Sequence, residues 1–277
     1  MTLRPEPRVW TRYVALGDSF TEGMSDPDPD LPGRFVGWAD RLAGHLAEKA
    51  AEAGHELGYA NLAVRGRLLA NVVGPQLDAG LALEPDLVSI VGGGNDILRP
   101  RADVDALAAK LEAAVVRVRA TGADVLLATP VDPADAPVVR ATRGRVAAYG
   151  CFIWSIAQRH GCLVLDQWGL TALRDWRLWA DDRIHLTTEG HRRVALAAMY
   201  ALGHESDLSD WRTPLVAAAP AARREAATAN ARWAREYLGP WVQRRLRGES
   251  SGDHVEAKRP VIAPLERRTA GAADGHL

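Results

Sequence analysis

Ser19 is the residue of this chain best placed, by type and setting, for covalent chemistry. It ends the run Tyr13-Val14-Ala15-Leu16-Gly17-Asp18-Ser19, in which an apolar strand meets a glycine-flanked turn. Such a turn lifts the next side chain above a sheet edge, where a small molecule can reach it. A serine hydroxyl is a weak nucleophile until a base takes its proton. His185 is the candidate base, within Asp181-Asp182-Arg183-Ile184-His185. In a turn, side chains three residues apart can share a face. Asp182 can therefore accept the imidazole Nδ1 proton and stabilise the imidazolium. Asp181, four residues from the histidine, is the competing carboxylate. Attack on an acyl carbonyl also creates an oxyanion, which needs fixed hydrogen-bond donors. Asn95 offers a side-chain amide directly after Gly92-Gly93-Gly94, where bare backbone lets a substrate approach closely. Those glycines lack the spacing of the dinucleotide and P-loop phosphate motifs. Ser19 does not lie in G-x-S-x-G either, so the α/β-hydrolase nucleophile elbow is absent. No His, Asp or Cys cluster has metal-ligand spacing, and neither a metal nor another cofactor is expected.

These residues can act together only if the elements carrying them converge. Up to about Gly203, strand-like and helix-like patterns alternate, which implies a parallel sheet with helices on both faces. Short leucine-rich and β-branched runs at 13–16, 59–64, 87–92, 124–129 and 163–166 suit strands buried on both sides. Helical periodicity fits 37–53, 68–81, 104–120, 137–160 and 188–202. Thr187 or Thr188 can cap the last helix, and Pro137 suits a first turn. The expected fold class is α/β: a three-layer α/β/α sandwich, flavodoxin-like, around a five-stranded parallel sheet. Ser19 then follows the first strand, Gly66 the second, Asn95 the third and the 182–185 segment the fifth. In an open parallel sheet the carboxyl ends of the strands share one edge, where ligands bind.

Four segments in this order, Gly17-Asp18-Ser19, Asn61-Leu62-Ala63-Val64-Arg65-Gly66, Gly93-Gly94-Asn95-Asp96 and Asp182-Arg183-Ile184-His185, resemble the SGNH (GDSL-type) hydrolase family. That family contains esterases, lipases and acyltransferases. The likeness covers about residues 11–203, and the stretch 32–42 is similar to GDSL-type proteins of high-GC Gram-positive bacteria. The resemblance implies Ser19 as nucleophile, His185 as base and Asp182, rather than Asp181, as the group that orients it. It implies an oxyanion hole made by the backbone N–H groups of Ser19 and Gly66 and by the Asn95 amide. It gives Asp18 and Asp96 supporting hydrogen bonds, whereas His191 reads as a structural helix-turn residue. The implied activity is hydrolysis of a small-molecule carboxylic ester through an acyl-enzyme. Transfer of the acyl group to a sugar or other alcohol shares the first half-reaction, and a non-catalytic ligand-binding module is the alternative of another class. Trp168, Trp176 and Trp179 precede Asp182 and can line an acyl or sugar pocket, or simply pack the core.

The chain has 277 residues and a formal net charge of −1, a balance that favours neither a nucleic acid nor a membrane surface as partner. Its organisation reads as a hydrolase domain over 1–205, a helical C-terminal extension packed on it over 206–268, and a disordered tail over 269–277. Within the extension, 220–247 reads as one long Ala/Arg-rich helix and 259–265 as an extended stretch. Residues 1–8 lack an apolar signal core and no window can span a bilayer, so a cytoplasmic location is expected. Cys151 and Cys162 give no disulfide framework and are expected to be small buried apolar residues.

Overall fold

Alternation along the first strand dictates the layering. In β1 (Arg12–Gly17), Tyr13 and Ala15 enter one cluster of buried side chains, Val14 and Leu16 another. Successive strand residues point to opposite faces. Both sets are apolar, so both faces of the sheet must be covered. They are covered in the computed structural model, which describes residues 6–136, 139–204, 209–216, 223–240, 243, 247 and 250–265. Helices Gly37–Glu52 and Thr188–Ala201 bury Trp38, Leu42, Val194 and Met199 on the first face. Helices Val104–Arg119 and Arg143–His160 bury Leu111, Val115, Ile153 and Ile156 on the second. The result is a three-layer α/β/α sandwich.

The other strands are β2 (Gly58–Asn61), β3 (Leu87–Val91), β4 (Asp124–Ala128), β5 (Leu163–Leu165) and β6 (Arg259–Pro264), in the order β5-β4-β3-β1-β2-β6. The first five run parallel. From β1 the chain moves outward to β2, then returns past β1 to lay β3 on its other side. The loops after β1 and β3 therefore diverge at a topological switch point, and a crevice opens there. Ser19 and Asn95 lie on those two loops.

The expectation of five strands is corrected to six. The stretch 259–265 forms β6, which pairs antiparallel with β2 through Gly58–Pro264 and Tyr59–Ala263, with a register shift before Asn61–Arg259. The extension is thus helical only in part. Its helix runs Arg223–Trp233 and continues as a π segment, Ala234–Leu238, while residues 220–222 and most of 241–249 lie outside the described residues. The proposed tail 269–277 also lies outside them. The helix expected over 68–81 is broken into Leu69–Asn71, a π segment Val72–Gln76 and Leu77–Leu81. Pro75 sits in the π segment. A proline cannot donate the backbone bond of an α-helix, and a wider turn accommodates it. The helix expected from 137 begins at Arg143, after a 3₁₀ turn Arg140–Thr142; residues 137–138 are outside the described set. Cys151 is exposed and Cys162 half-buried, against the expectation of burial. Cys151 falls on the outer face of its helix with Trp154, opposite the buried Tyr149, Ile153 and Ile156.

Candidate active site

Ser19 opens a single helical turn, Ser19–Glu22, at the carboxyl end of β1. Asp18 is its N-cap, with Oδ1 accepting the Phe20 N–H at 3.1 Å, while the Asp18 carbonyl accepts the N–H groups of Thr21 and Glu22. The Ser19 N–H, first in the turn, has no acceptor inside it. The strand end is fixed from behind by Gln76, whose amide accepts the Gly17 N–H at 2.9 Å and donates to the Gly17 carbonyl at 3.0 Å. Burial pushes the Asp18 carboxyl up to about 6, against the opposing pull of the Phe20 N–H and the nearby His185.

Asp182 and His185 lie in a tight reversal of the chain. Trp179 bridges Leu186, the Ala180 N–H donates to the His185 carbonyl at 2.8 Å, and the Thr187 N–H donates to the Leu178 carbonyl at 2.9 Å. This turn puts both side chains on one face. Asp182 Oδ2 is 2.6 Å from His185 Nδ1, and Asp182 Oδ1 accepts the N–H groups of Ile184 at 2.9 Å and His185 at 3.0 Å. Burial raises the Asp182 carboxyl, but the His185 hydrogen bond and charge and the two N–H donors outweigh it and hold the group below its usual range. Asp182 is therefore an anion at neutral pH, and Nε2 is the imidazole nitrogen it leaves free.

Asn95 stands two residues after Gly93, whose φ of 97° suits a residue without Cβ, and whose α-carbon faces the ring of Tyr149. Asn95 Nδ2 donates to Asp18 Oδ2 and to the Arg67 carbonyl, both at 3.1 Å. Asp96 Oδ2 accepts the Leu69 N–H at 2.9 Å. The loops after β1, β2 and β3 are thus stitched together, and Asp18 and Asp96 make the supporting bonds expected of them. Gly66 has φ of 72°, and its carbonyl accepts a hydrogen bond from Ser250 Oγ at 3.2 Å. It lies one residue from Arg67 in this stitched loop, beneath the 250–252 turn of the extension.

Ser19, Asn95 and His185 line one cavity of about 280 Å³ at the switch point, whereas Gly66 and Asp182 are not among its wall residues. Phe20, Ile97, Leu98, Val131, Leu173 and Ile184 make most of the wall apolar. Trp176 and Trp179 also line it. Trp168 does not; the Arg143 guanidinium lies over its ring at 5.4 Å. His191 is fully buried between the Trp38 N–H and the Met24 carbonyl, each at 3.2 Å, and burial lowers its imidazole to about 4. It is a neutral structural residue. Among the described residues, no three His, Cys, Asp or Glu side chains gather as a metal site requires, and no helix is long and apolar enough to cross a membrane.

Several supporting residues were not found from sequence. Buried Glu22 binds the Arg65 guanidinium and accepts the Arg65 N–H at 2.7 Å, fixing the loop that carries Gly66. Lys258 donates to the carbonyls of Glu22 at 2.6 Å, Phe35 at 2.9 Å and Val36 at 2.6 Å, and pairs with Asp40. A glutamate three residues after Ser19 and an arginine beside Gly66 were the available signal for the first pair. Nothing local marks Lys258.

Comparison with solved structures places this fold among those of SGNH hydrolases. LAE5, an alpha/beta hydrolase enzyme from the metagenome of Lake Arreo, is 26% identical, covering 70% of this chain and 95% of its own, with a TM-score of 0.59. Axe2, an acetylxylan esterase from Geobacillus stearothermophilus, matches at 21% identity and a TM-score of 0.59, over 73% of this chain and 98% of its own. A protein from Parabacteroides merdae assigned as a GDSL-like lipase matches at 18% identity and a TM-score of 0.60, over 72% of this chain and 99% of its own. The search of curated proteins finds no match. The model of the GDSL-like Lipase/Acylhydrolase family matches residues 15–193, a span that takes in Ser19, Gly66, Asn95, Asp182 and His185. By that match, over well more than half its length, the chain belongs to the GDSL-like lipase/acylhydrolase family.

Proposed function

We propose that the protein is a serine esterase that cleaves carboxylic esters through an acyl-enzyme on Ser19. The reading is carried by one observation: a histidine held through Nδ1 by an ionised aspartate, 2.6 Å away, lines the same cavity as Ser19. In the first half-reaction Ser19 Oγ attacks the acyl carbon while His185 Nε2 takes the hydroxyl proton, and Asp182 stabilises the resulting imidazolium. The carbonyl electron pair moves onto oxygen. The Ser19 N–H, the Gly66 N–H and the Asn95 amide are assigned to that oxyanion, which requires Asn95 to turn from its resting partners toward the substrate. The carbonyl reforms, the ester C–O bond breaks, and His185 gives its proton to the departing alcohol. In the second half-reaction His185 takes a proton from water, whose oxygen attacks the acyl-enzyme. The acid leaves, and Ser19 regains its proton from His185. The apolar wall suits the acyl part of the substrate.

The experiment is turnover of short-chain p-nitrophenyl esters by the wild type and Ser19→Ala. The account expects wild-type turnover and its loss in the variant, with the circular dichroism spectrum unchanged. Retained turnover by folded Ser19→Ala would reject Ser19 as the nucleophile.

A further inference from the structure

Beside the Ser19 cavity lies a second recess of about 440 Å³, and the C-terminal extension builds one of its walls. From the hydrolase domain come Trp176, Trp179 and Arg183; from the extension come Trp233, Glu236 and Tyr237. Trp176, Trp179 and Arg183 line both cavities, so the two adjoin along these side chains. Arg183 belongs to the Asp182–His185 turn, and Trp179 bridges Leu186 beside it. Arg183 lies between the rings of Trp176, at 5.8 Å, and Trp233, at 5.3 Å, and donates to Asn230 Oδ1 at 2.7 Å. The Trp233 indole N–H donates to the Asp182 carbonyl at 2.8 Å. The extension therefore grips the backbone between the base and its carboxylate, and leaves an aromatic hollow beside them.

The lining tells what fits. Trp176 is 37% exposed, an unusual setting for so large an apolar surface. Aromatic faces bury ring-shaped ligands well, because they offer broad area with few rotors to freeze. The charged groups at the recess, Arg183 and Arg232 against Asp181 and Glu236, cancel in sign. A phosphate or carboxylate ligand would want an excess of cations, so the ligand is neutral. Donors and acceptors of both kinds beside the tilted Trp176 and Trp179 rings, 6.3 Å apart, match a polyhydroxylated ring, whose C–H face is apolar and whose edge carries hydroxyls. The apolar Ser19 cavity suits the acyl group and this recess suits the alcohol.

We infer that the recess is a subsite for the alcohol portion of the ester, and that this alcohol is a neutral saccharide ring. This rests on the esterase reading above, and the closing experiment separates the two. Hydrolysis of 6-O-acetylglucose, cyclohexyl acetate and ethyl acetate is compared in the wild type, Tyr237→Ala and Glu236→Ala, with thermal melting to confirm folding. Losing one stacking face predicts a fall in kcat/KM about five- to tenfold larger on 6-O-acetylglucose than on ethyl acetate, carried by KM. Glu236 is exposed, so its variant keeps the test alive if Tyr237→Ala does not fold. Equal losses on the three esters would overturn the subsite. Equal selective losses on 6-O-acetylglucose and cyclohexyl acetate would overturn its saccharide character. In parallel, tryptophan fluorescence is titrated with methyl glucoside and methyl xyloside. Quenching that weakens in the variants supports the subsite, and no quenching by either glycoside counts against it. If the wild type cleaves neither these esters nor p-nitrophenyl esters, the esterase reading fails and the titration alone decides the recess.

Discussion

Lys258 should be worth more to this fold than its place near the end of the C-terminal extension implies. Its ammonium donates to three backbone carbonyls and pairs with Asp40, and the two side chains are 12% and 15% exposed. Lys258→Met keeps the stem but leaves the Asp40 carboxyl, which burial already pushes up to about 6, without its nearest cation. Breaking a buried pair from one side costs about 3–5 kcal/mol. The Glu22, Phe35 and Val36 carbonyls lose a donor as well, which places the expected loss toward the upper end. Urea unfolding gives the measurement, with the slope checked so that a lower midpoint reports stability alone. Adding Asp40→Asn removes the stranded charge and should recover about 1–2 kcal/mol, a coupling that a double-mutant cycle isolates. A loss below about 1 kcal/mol in the single variant, or no recovery in the double, would refute the claim that this lysine locks the extension onto the domain.

Other outcomes follow from the site. Asn95→Ala should lower kcat about 10²–10³-fold with little change in KM, because an oxyanion donor acts mainly in the transition state; steady-state kinetics on a p-nitrophenyl ester reads this, and an equal rise in KM with unchanged kcat would remove Asn95 from the oxyanion role. Asp182→Ala should cost about 10³–10⁴-fold in kcat through loss of imidazole orientation, and a loss under tenfold would point to another carboxylate. Asp18 gives a pH signature. Its carboxyl rises from 3.8 to about 6 on folding, so the folded chain holds that proton more tightly than the unfolded chain does. The contribution is full below 3.8 and fades as pH rises through 6, which amounts to about 3 kcal/mol across the window. Asp40, also raised to about 6, and His191, lowered to about 4, titrate in both proteins, so urea unfolding at pH 4 and pH 7 should differ between wild type and Asp18→Asn by Asp18's share alone.

The parts of the molecule that sequence revealed are those with local causes. Five parallel strands were readable because each is a short, doubly apolar run, and the register of Tyr13 and Ala15 against Val14 and Leu16 follows from strand alternation. Asp182 and His185 were readable because a three-residue offset in a turn brings side chains together, and the 2.6 Å contact realises it. What escaped depends on partners far along the chain. The stretch 259–265 read as extended, but its place in the sheet was hidden: β6 carries Pro260 and Pro264 and shows no alternation, and only the free edge of β2 pairs it. Lys258 reads as a solvated charge until four acceptors from residues 22–40 surround it. The helix read over 68–81 took no account of Pro75, and so missed the π turn that sets Gln76 against Gly17. The exposure of Cys151 was a question of helix phase, and the apolar positions around it suit two faces.

The central claim is that His185 activates Ser19 as a nucleophile. Incubation with a fluorophosphonate, followed by peptide mapping by mass spectrometry, tests it without any knowledge of the natural ester. The account predicts one covalent adduct, on Ser19, formed about 10³-fold more slowly or worse in His185→Ala. An unmodified Ser19, or labelling that proceeds at the wild-type rate without the imidazole, would contradict it.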